Sequence, residues 1–308
     1  MKTAEKPSSD WPEAIRATPV RHPGRWAAMV AIGVLVLMAA HTVLTNQRFN
    51  WSLEGQYFFS AQILHGVSVT LELTLASMAI GVVLGVVLAV MRLSPNPVVS
   101  GSAWVYVWGF RGTPLLVQLL LWANLGALFP TLGLGVPFGP QFVTRQTFTL
   151  IPGVMAALLG LGLNEAAYMS EIVRAGILSV GEGQVEAAAS IGMRRMAIMR
   201  RIVLPQAMRV IVPPTGNETI SMLKSTSLVA YVPYVELLFA TQNIYTRNYQ
   251  VMPMLIMASI WYLAITSVLM VGQFYIERHY AKGAMRALPP TPMQKLRARA
   301  ARLNGGRR

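Results

Sequence analysis

Residues 181–205 read GEGQVEAAASIGMRRMAIMRRIVLP and lie between two long apolar stretches of the chain. Gly181 interrupts the preceding stretch, and the alanine run that starts at Ala187 favours a short helix. Gly192 can end that helix in the left-handed conformation. A second helix begins shortly afterwards, and Pro205 bends its continuation toward the next apolar stretch. The pattern predicts a short, rigid helix that projects from the apolar part of the molecule.

The apolar stretches indicate a membrane protein. Hydrophobic residues make up 54% of the 308-residue chain and charged residues only 12%, against about 25% charged residues in soluble domains. A bilayer crossing needs about 20 apolar residues, and we expect six such crossings. They span residues 26–44, 66–91, 115–129, 149–178, 211–232 and 254–274. The predicted fold class is therefore all-α, a polytopic membrane helical bundle with about six transmembrane helices.

The first apolar stretch has two possible interpretations. It lies near the N-terminus, as a signal peptide does, but signal-peptide cores are only about 7–15 residues long. The AAH sequence at residues 39–41 is also a poor cleavage site. We expect an uncleaved first helix.

Basic residues are distributed unevenly between alternate loops. Segments 47–65, 130–148 and 233–252 carry 3 basic residues together, and the opposite set of segments, which includes both termini, carries 21. Because Lys and Arg accumulate on the cytoplasmic side, we expect both termini in the cytoplasm and the chain in a bacterial cytoplasmic (inner) membrane. The net charge of +14 does not indicate nucleic-acid binding, since no basic stripe with interleaved aromatic residues is present.

The projecting segment carries the motif E-A-A-x3-G-x9-I-x-L-P, which resembles the EAA loop of ABC importer permeases. The matching residues are Glu186, Ala187, Ala188, Gly192, Ile202, Leu204 and Pro205. The resemblance implies a coupling helix that docks in a groove of a separate ATP-hydrolysing subunit. The chain has no G-x-x-x-x-G-K-[ST] phosphate loop, so we expect no cofactor in it, with ATP and Mg on the partner ATPase. The alternative is an amphipathic helix that lies on the lipid surface.

Three more segments resemble permeases for polar amino acids of the histidine, glutamine, glutamate and arginine type. Residues 110–118 read FRGTPLLVQ, residues 164–176 read NEAAYMSEIVRAG, and residues 223–228 read LKSTSL. The last segment has Ser225 where members of that family often have Asp. The implied function is import of a polar amino acid, and an opine or another amino-acid derivative is the alternative substrate.

The resemblance also implies a domain organisation and a set of partners. A five-helix ABC importer core covers residues 63–280, with the coupling loop at 179–211. The remaining segments lie outside the resemblance. We expect residues 1–25 to form a cytoplasmic segment and residues 26–62 an extra N-terminal transmembrane helix with an external loop. Residues 281–308 should form a basic cytoplasmic tail that is disordered or lies on anionic lipid. The implied partners are an ATPase dimer, a second permease subunit that is identical or different, an extracytoplasmic amino-acid-binding protein and membrane lipid.

Polar residues within the fourth and fifth apolar stretches are candidates for a substrate pathway. They are Asn164, Glu165, Glu171, Asn217, Glu218 and Lys224. Charged groups inside a bilayer are costly and usually face a cavity or a partner. In a pathway, the carboxylates would bind an ammonium group, and the amides or Lys224 would bind a carboxylate. Structural pairing is the alternative, between Glu171 and Arg174 and between Lys224 and either Glu218 or Glu165.

Small residues and prolines give further local expectations. Gly81, Gly85 and Ala89 recur at four-residue spacing, which predicts close helix packing. The fifth stretch contains Pro213, Pro214 and Gly216, which should interrupt the helix or kink it. We expect Arg111 to be an anchor at the cytoplasmic edge, just before a turn that starts the third crossing.

An ion-coupled secondary transporter and an intramembrane hydrolase are the two alternatives to an ABC permease. An ion-coupled secondary transporter would need internal inverted repeats, and none is visible. An intramembrane hydrolase would need a nucleophile and a base. The chain has no cysteine, and none of its four histidines falls in an H-E-x-x-H motif. We therefore do not expect an enzyme.

Overall fold

The computed structural model describes residues 23–136, 139 and 141–280. Most of the predicted segment 1–25 and all of the predicted tail 281–308 lie outside the described residues. The α-helices are α1 Pro23–Thr45, α2 Trp51–Tyr57, α3 Ala61–Arg92, α4 Pro97–Gly112, α5 Leu115–Ala123, α6 Leu125–Leu128, α7 Thr147–Leu150, α8 Gly153–Leu178, α9 Glu182–Ser190, α10 Arg195–Ile198, α11 Leu204–Ser225, α12 Leu237–Asn248 and α13 Val251–Tyr280. The two strands, β1 Thr131–Gly135 and β2 Gln141–Gln146, pair as one antiparallel hairpin.

The chain divides into two compact units at residues 50 and 51. In the first unit, α1 is 23 residues long with a mean hydropathy of 2.3, enough to cross a bilayer. The hydroxyls of Thr42 and Thr45 donate to carbonyls one turn earlier in the same helix. Both hydroxyl groups thus have hydrogen-bond acceptors within the helix.

In the second unit, α3 and α8 pack closely through glycines. A Cβ at Gly81 would lie 2.7 Å from Cβ of Glu165, and a Cβ at Gly85 would lie 3.1 Å from the Met169 carbonyl carbon. Ala89, one turn further on, is fully buried. The predicted packing role of these small residues is confirmed. α3 and α8 therefore run parallel, as expected for two helices that cross the membrane in the same direction.

The third predicted crossing differs in detail from the expectation. It consists of α5 and α6, and the unpredicted helix α4 precedes it. Asn96 caps α4, and Pro97 occupies its first turn, where its fixed φ suits a helix. Thr113 is extended, with ψ of 144°, because a residue before proline disfavours the helical region.

The fifth predicted crossing is not interrupted at its prolines, so the predicted interruption is wrong, and the alternative of a kink stays a prediction. α11 runs through Pro213, Pro214 and Gly216 to Ser225, and a 3-10 helix at Thr226–Tyr231 follows it. Gln273 Nε2 on α13 donates to the Pro213 carbonyl at 2.7 Å. This bond holds the proline-containing part of α11 against α13. The carbonyls that Pro213 and Pro214 leave without a helical donor are those of Arg209 and Val210, four residues earlier.

The fold class is confirmed as an all-α membrane bundle, since the described residues form only one short hairpin besides the helices. Among the described residues, three helices are long and apolar enough to cross a membrane: α1, α3 and α13. α8 and α11 have 26 and 22 residues but carry several ionisable side chains. The number of six crossings and the predicted domain boundaries stay predictions.

Candidate functional site

α9 is the short helix that the sequence predicts, and it ends at Gly192 as expected. The φ of Gly192 is +80°, a left-handed conformation that glycine adopts at little cost. The Gly192 amide donates to the Ala189 carbonyl at 2.9 Å, and the Met193 amide donates to the Ala188 carbonyl at 3.1 Å. This pair of bonds is a Schellman termination, so the chain leaves α9 in a fixed direction.

The residues of the EAA-like motif fall into an exposed set and a packed set. The exposed residues are Glu186, Ala187, Gly192, Leu204 and Pro205, and the packed ones are Ala188 and Ile202. Gln206 Nε2 donates to Gln184 Oε1 at 2.8 Å and to the Ile202 carbonyl at 2.9 Å. These bonds connect the first turn of α11 to α9. One side of α9 is therefore braced by its own chain, while Glu186 and Ala187 stay exposed.

Glu171 is paired within the chain, so the structural alternative is confirmed for this residue. Its carboxylate accepts hydrogen bonds from Arg174 Nη2 at 2.7 Å and Nε at 3.1 Å. Arg92 Nη2 on α3 lies 3.6 Å away. Two guanidinium groups compensate this one carboxylate, which therefore helps to hold α3 to α8.

Asn164 is buried and fixes the turn between α4 and α5. Its Nδ2 donates to the Phe110 carbonyl and to Gln118 Oε1, both at 3.1 Å. Gln118 Nε2 in turn donates to the Phe110 carbonyl and to Thr113 Oγ1, both at 2.8 Å. Both amide hydrogens of Asn164 have partners inside the protein. These hydrogen bonds hold the FRGTP turn, residues 110–114, against α8 and α5.

Glu165 and Glu218 differ from Glu171 because neither forms an ion pair. Glu165 is only 4% exposed, and its Oε1 has no hydrogen-bond partner among the described residues. Glu218 on α11 is half-buried and interacts electrostatically with Glu165. Within the described part of the chain, no basic nitrogen lies within 4.0 Å of either carboxylate. Glu165 on α8 and Glu218 on α11 thus interact with each other without a close basic partner among the described residues.

Arg111 is exposed and lies beside α8, and its predicted position at the cytoplasmic edge stays a prediction. Its Cζ is 5.2 Å from the ring centroid of Tyr168, and Tyr168 is in the interior of α8 rather than at its end. The guanidinium also interacts electrostatically with Glu171 and Glu218.

Asn217 and Lys224 lie on a different side of α11 from Glu165. With Ser221 they border a groove of about 370 Å³ next to α13, opposite Gln273 and Glu277. The alternative pairing of Lys224 with Glu218 or Glu165 is not formed in the described structure. The six candidate pathway residues therefore do not converge on one point within a single chain.

The sequence matches a family model over residues 81–282, and this model is described as a binding-protein-dependent transport system inner membrane component. The chain belongs to this family of inner-membrane transport components. The permease is accordingly a multi-pass protein of the inner membrane that works as part of an ABC transporter.

Individual relatives agree with this assignment. The permease is 49% identical over 283 residues to the arginine transport system permease protein ArgU of Corynebacterium glutamicum, which covers 91% of this chain and 88% of the relative. It is 39% identical to the nopaline transport system permease protein NocM of Agrobacterium fabrum, over 71% of this chain and 89% of that one. A crystal structure of an amino acid ABC transporter with histidines matches with a TM-score of 0.63 and 32% identity, over 73% of this chain and 97% of that chain.

Two polar residues that hold the permease together were not singled out from the sequence. Gln118 lies within the FRGTPLLVQ segment, but its bonds to a turn five residues earlier have no sequence signal. Glu236 is fully buried and caps α12 by accepting from the Leu238 and Phe239 amides at 2.8 and 2.7 Å. Its Oε2 also accepts from the Tyr262 hydroxyl at 2.7 Å. A Glu just before a helix is a weak capping signal, and only the fold shows that it is buried.

Proposed function

We propose that this permease imports a polar amino acid across the cytoplasmic membrane, driven by ATP hydrolysis on a partner subunit. The observation that carries the proposal is the pair of Glu165 and Glu218, which are buried and half-buried and have no basic nitrogen within 4.0 Å among the described residues. Arg111 adds a positive charge that interacts with Glu218. Such charges are costly in a bilayer unless they have a function. A zwitterion offers both an ammonium and a carboxylate group. Relatives named for arginine and nopaline transport support the same substrate class.

The proposed coupling runs through α9. Its exposed face, with Glu186 and Ala187, would dock in a groove of the ATPase dimer, which binds ATP and Mg. The alanines allow close approach, and Glu186 can accept a charge-assisted hydrogen bond. A second permease subunit, identical or different, and an extracytoplasmic amino-acid-binding protein complete the proposed transporter.

An amino-acid derivative such as an opine is the second candidate substrate. The relative named for nopaline transport matches over 89% of its own length, and opines keep the α-carboxylate of an amino acid. The same charges would therefore serve both substrates.

Uptake should be specific for polar amino acids or their derivatives. Cells that produce the permease with its cognate ATPase and binding protein would receive labelled L-arginine, L-histidine, L-glutamine, L-glutamate, nopaline or maltose. We expect energy-dependent accumulation of at least one amino acid or of nopaline, and none of maltose. Accumulation of maltose alone would contradict the proposal.

Both termini should be cytoplasmic, because of the asymmetry of basic residues. The chain has no native cysteine, so single introduced cysteines report their side of the membrane. A membrane-impermeant maleimide should label Arg247→Cys in intact cells and Arg194→Cys only after permeabilisation. The reverse pattern would contradict the proposed orientation.

A further inference from the structure

The chain between α9 and α11 passes through a π-helical turn at Met199–Val203. The Leu204 amide donates to the Met199 carbonyl, five residues earlier, and Pro205 has no amide hydrogen with which to continue the usual α-helical pattern. Such turns are rare and are frequently found at functional sites. A movement of α9 that travelled along the backbone would have to cross this irregular turn before it reached α11.

Gln206, in the first turn of α11, provides a direct connection that bypasses the backbone. Its Nε2 donates to Gln184 Oε1 on α9 at 2.8 Å and to the Ile202 carbonyl in the π-helical turn at 2.9 Å. A glutamine amide has two hydrogens to donate, and both are used here. One half-buried side chain therefore joins α9, the π-helical turn and α11.

The bond between Gln184 and Gln206 crosses a groove between α9 and the start of α11. This groove has a volume of about 660 Å³ and is bordered by Ala187 on one side and by Arg201 on the other. Among the side-chain hydrogen bonds and ion pairs of the described residues, only the Gln184–Gln206 bond joins α9 to α11. It is the polar contact that fixes the position of α9 relative to α11.

α11 is in close contact with α8 immediately after Gln206. A Cβ at Gly176 would lie 3.3 Å from the Ala207 carbonyl oxygen and 2.9 Å from Cδ1 of Ile211. α11 then runs without a break to Ser225 and carries Glu218. A displacement that enters α11 at Gln206 would therefore be passed to α8 and along α11 to Glu218.

We propose that the hydrogen bond between Gln184 and Gln206 couples the movement of α9 to α11. This inference rests on the proposed function, in which ATP hydrolysis on the partner moves α9. Without the bond, α9 keeps its exposed face for the ATPase, so hydrolysis continues, but α11 follows the movement less closely. Gln206 is accordingly a positioning residue, which acts through α11 and not by contact with the substrate.

The test measures import and ATP hydrolysis by the same complex. Permease, cognate ATPase and binding protein are reconstituted in proteoliposomes with the labelled amino acid that the wild type imports fastest. Gln206→Leu removes the donor and Gln184→Leu removes the acceptor. Combining Gln184→Glu with Gln206→Lys replaces the bond by an ion pair with charge-assisted hydrogen bonds. The matched control is Gln250→Leu, exposed and between α12 and α13.

Gln206→Leu should lower the amount of amino acid imported per ATP hydrolysed by about 3- to 10-fold, as expected for one lost hydrogen bond. ATP hydrolysis, ATPase copurification and the melting temperature should stay near wild type. Gln184→Leu should have the same effect, and it serves as the test if Gln206→Leu does not fold. The ion-pair variant should restore the import ratio, and Gln250→Leu should match the wild type.

A wild-type import ratio in both leucine variants would overturn the inference, and so would an ion-pair variant as poor as Gln206→Leu. Loss of ATPase copurification in both leucine variants would also overturn it, because the pair would then serve docking. These outcomes leave the proposed function intact if the wild-type complex imports an amino acid. Failure of the wild-type complex to import any amino acid would overturn the proposed function, and this inference with it.

Discussion

Replacing Gly192 with valine is expected to abolish ATP-driven uptake while the permease still inserts into the membrane. The left-handed conformation with φ of +80° that Gly192 adopts would cost a residue with a Cβ about 1–2 kcal/mol. A β-branched residue such as valine adopts it still less readily. Valine would therefore break the Schellman termination and redirect the chain after α9. The effect is local, because a Cβ at this position meets no atom within 4 Å.

The measurement is labelled amino-acid uptake together with copurification of the ATPase. We expect at least a tenfold loss of both, roughly the effect of 1.4 kcal/mol on an equilibrium constant. Gly192→Asn is the matched control, since asparagine enters the left-handed region more readily than other residues with a Cβ, and it should keep most of the uptake. Wild-type uptake and copurification by Gly192→Val would show that the direction of α9 does not matter for coupling.

Replacing Gly81 with leucine should remove most of the folded permease from the membrane. A Cβ at this position would lie 2.7 Å from Cβ of Glu165 and closer still to its Cγ, so α3 and α8 would have to separate. Overpacking by a few methylene groups costs about 1–3 kcal/mol, and a rigid helix pair cannot absorb a whole leucine side chain. The loss would extend along the interface, where Gly85 packs against Met169 in the same way.

Folded protein is measured as the monodisperse peak in detergent size-exclusion chromatography and as the melting temperature. Gly101→Leu in α4 is the control, because a Cβ there meets no atom within 4 Å, and it should behave as the wild type. A normal peak and melting temperature for Gly81→Leu would contradict the packing of α3 against α8.

Features that depend on neighbouring residues were predictable from the sequence. Gly192 ends α9 because a glycine that follows an alanine-rich helix readily takes the left-handed conformation of a helix terminus. Glu171 pairs with Arg174 because residues three apart meet on a helix surface. The four-residue spacing of Gly81 and Gly85 shows which face of α3 packs closely, although not that α8 is the partner.

Features that depend on distant residues were not predictable. Gln273 bonds the Pro213 carbonyl from 60 residues away along the chain, a contact between α11 and α13 that no local pattern contains. The candidate pathway residues separate into two groups because only one side of α11 packs against α8. Helical spacing alone does not show which side that is.

The most direct test of the account is a cross-link from α9 to the ATPase. The permease has no native cysteine, so Ala187→Cys, exposed on α9, can carry a maleimide benzophenone as its only thiol adduct. After illumination of native membranes, we expect a covalent product that contains the ATP-hydrolysing subunit, identified by mass spectrometry. The matched control Thr144→Cys, exposed on β2, should give none. Absence of the ATPase from the Ala187→Cys product, or its equal presence with Thr144→Cys, would contradict the assignment of α9 as the coupling helix.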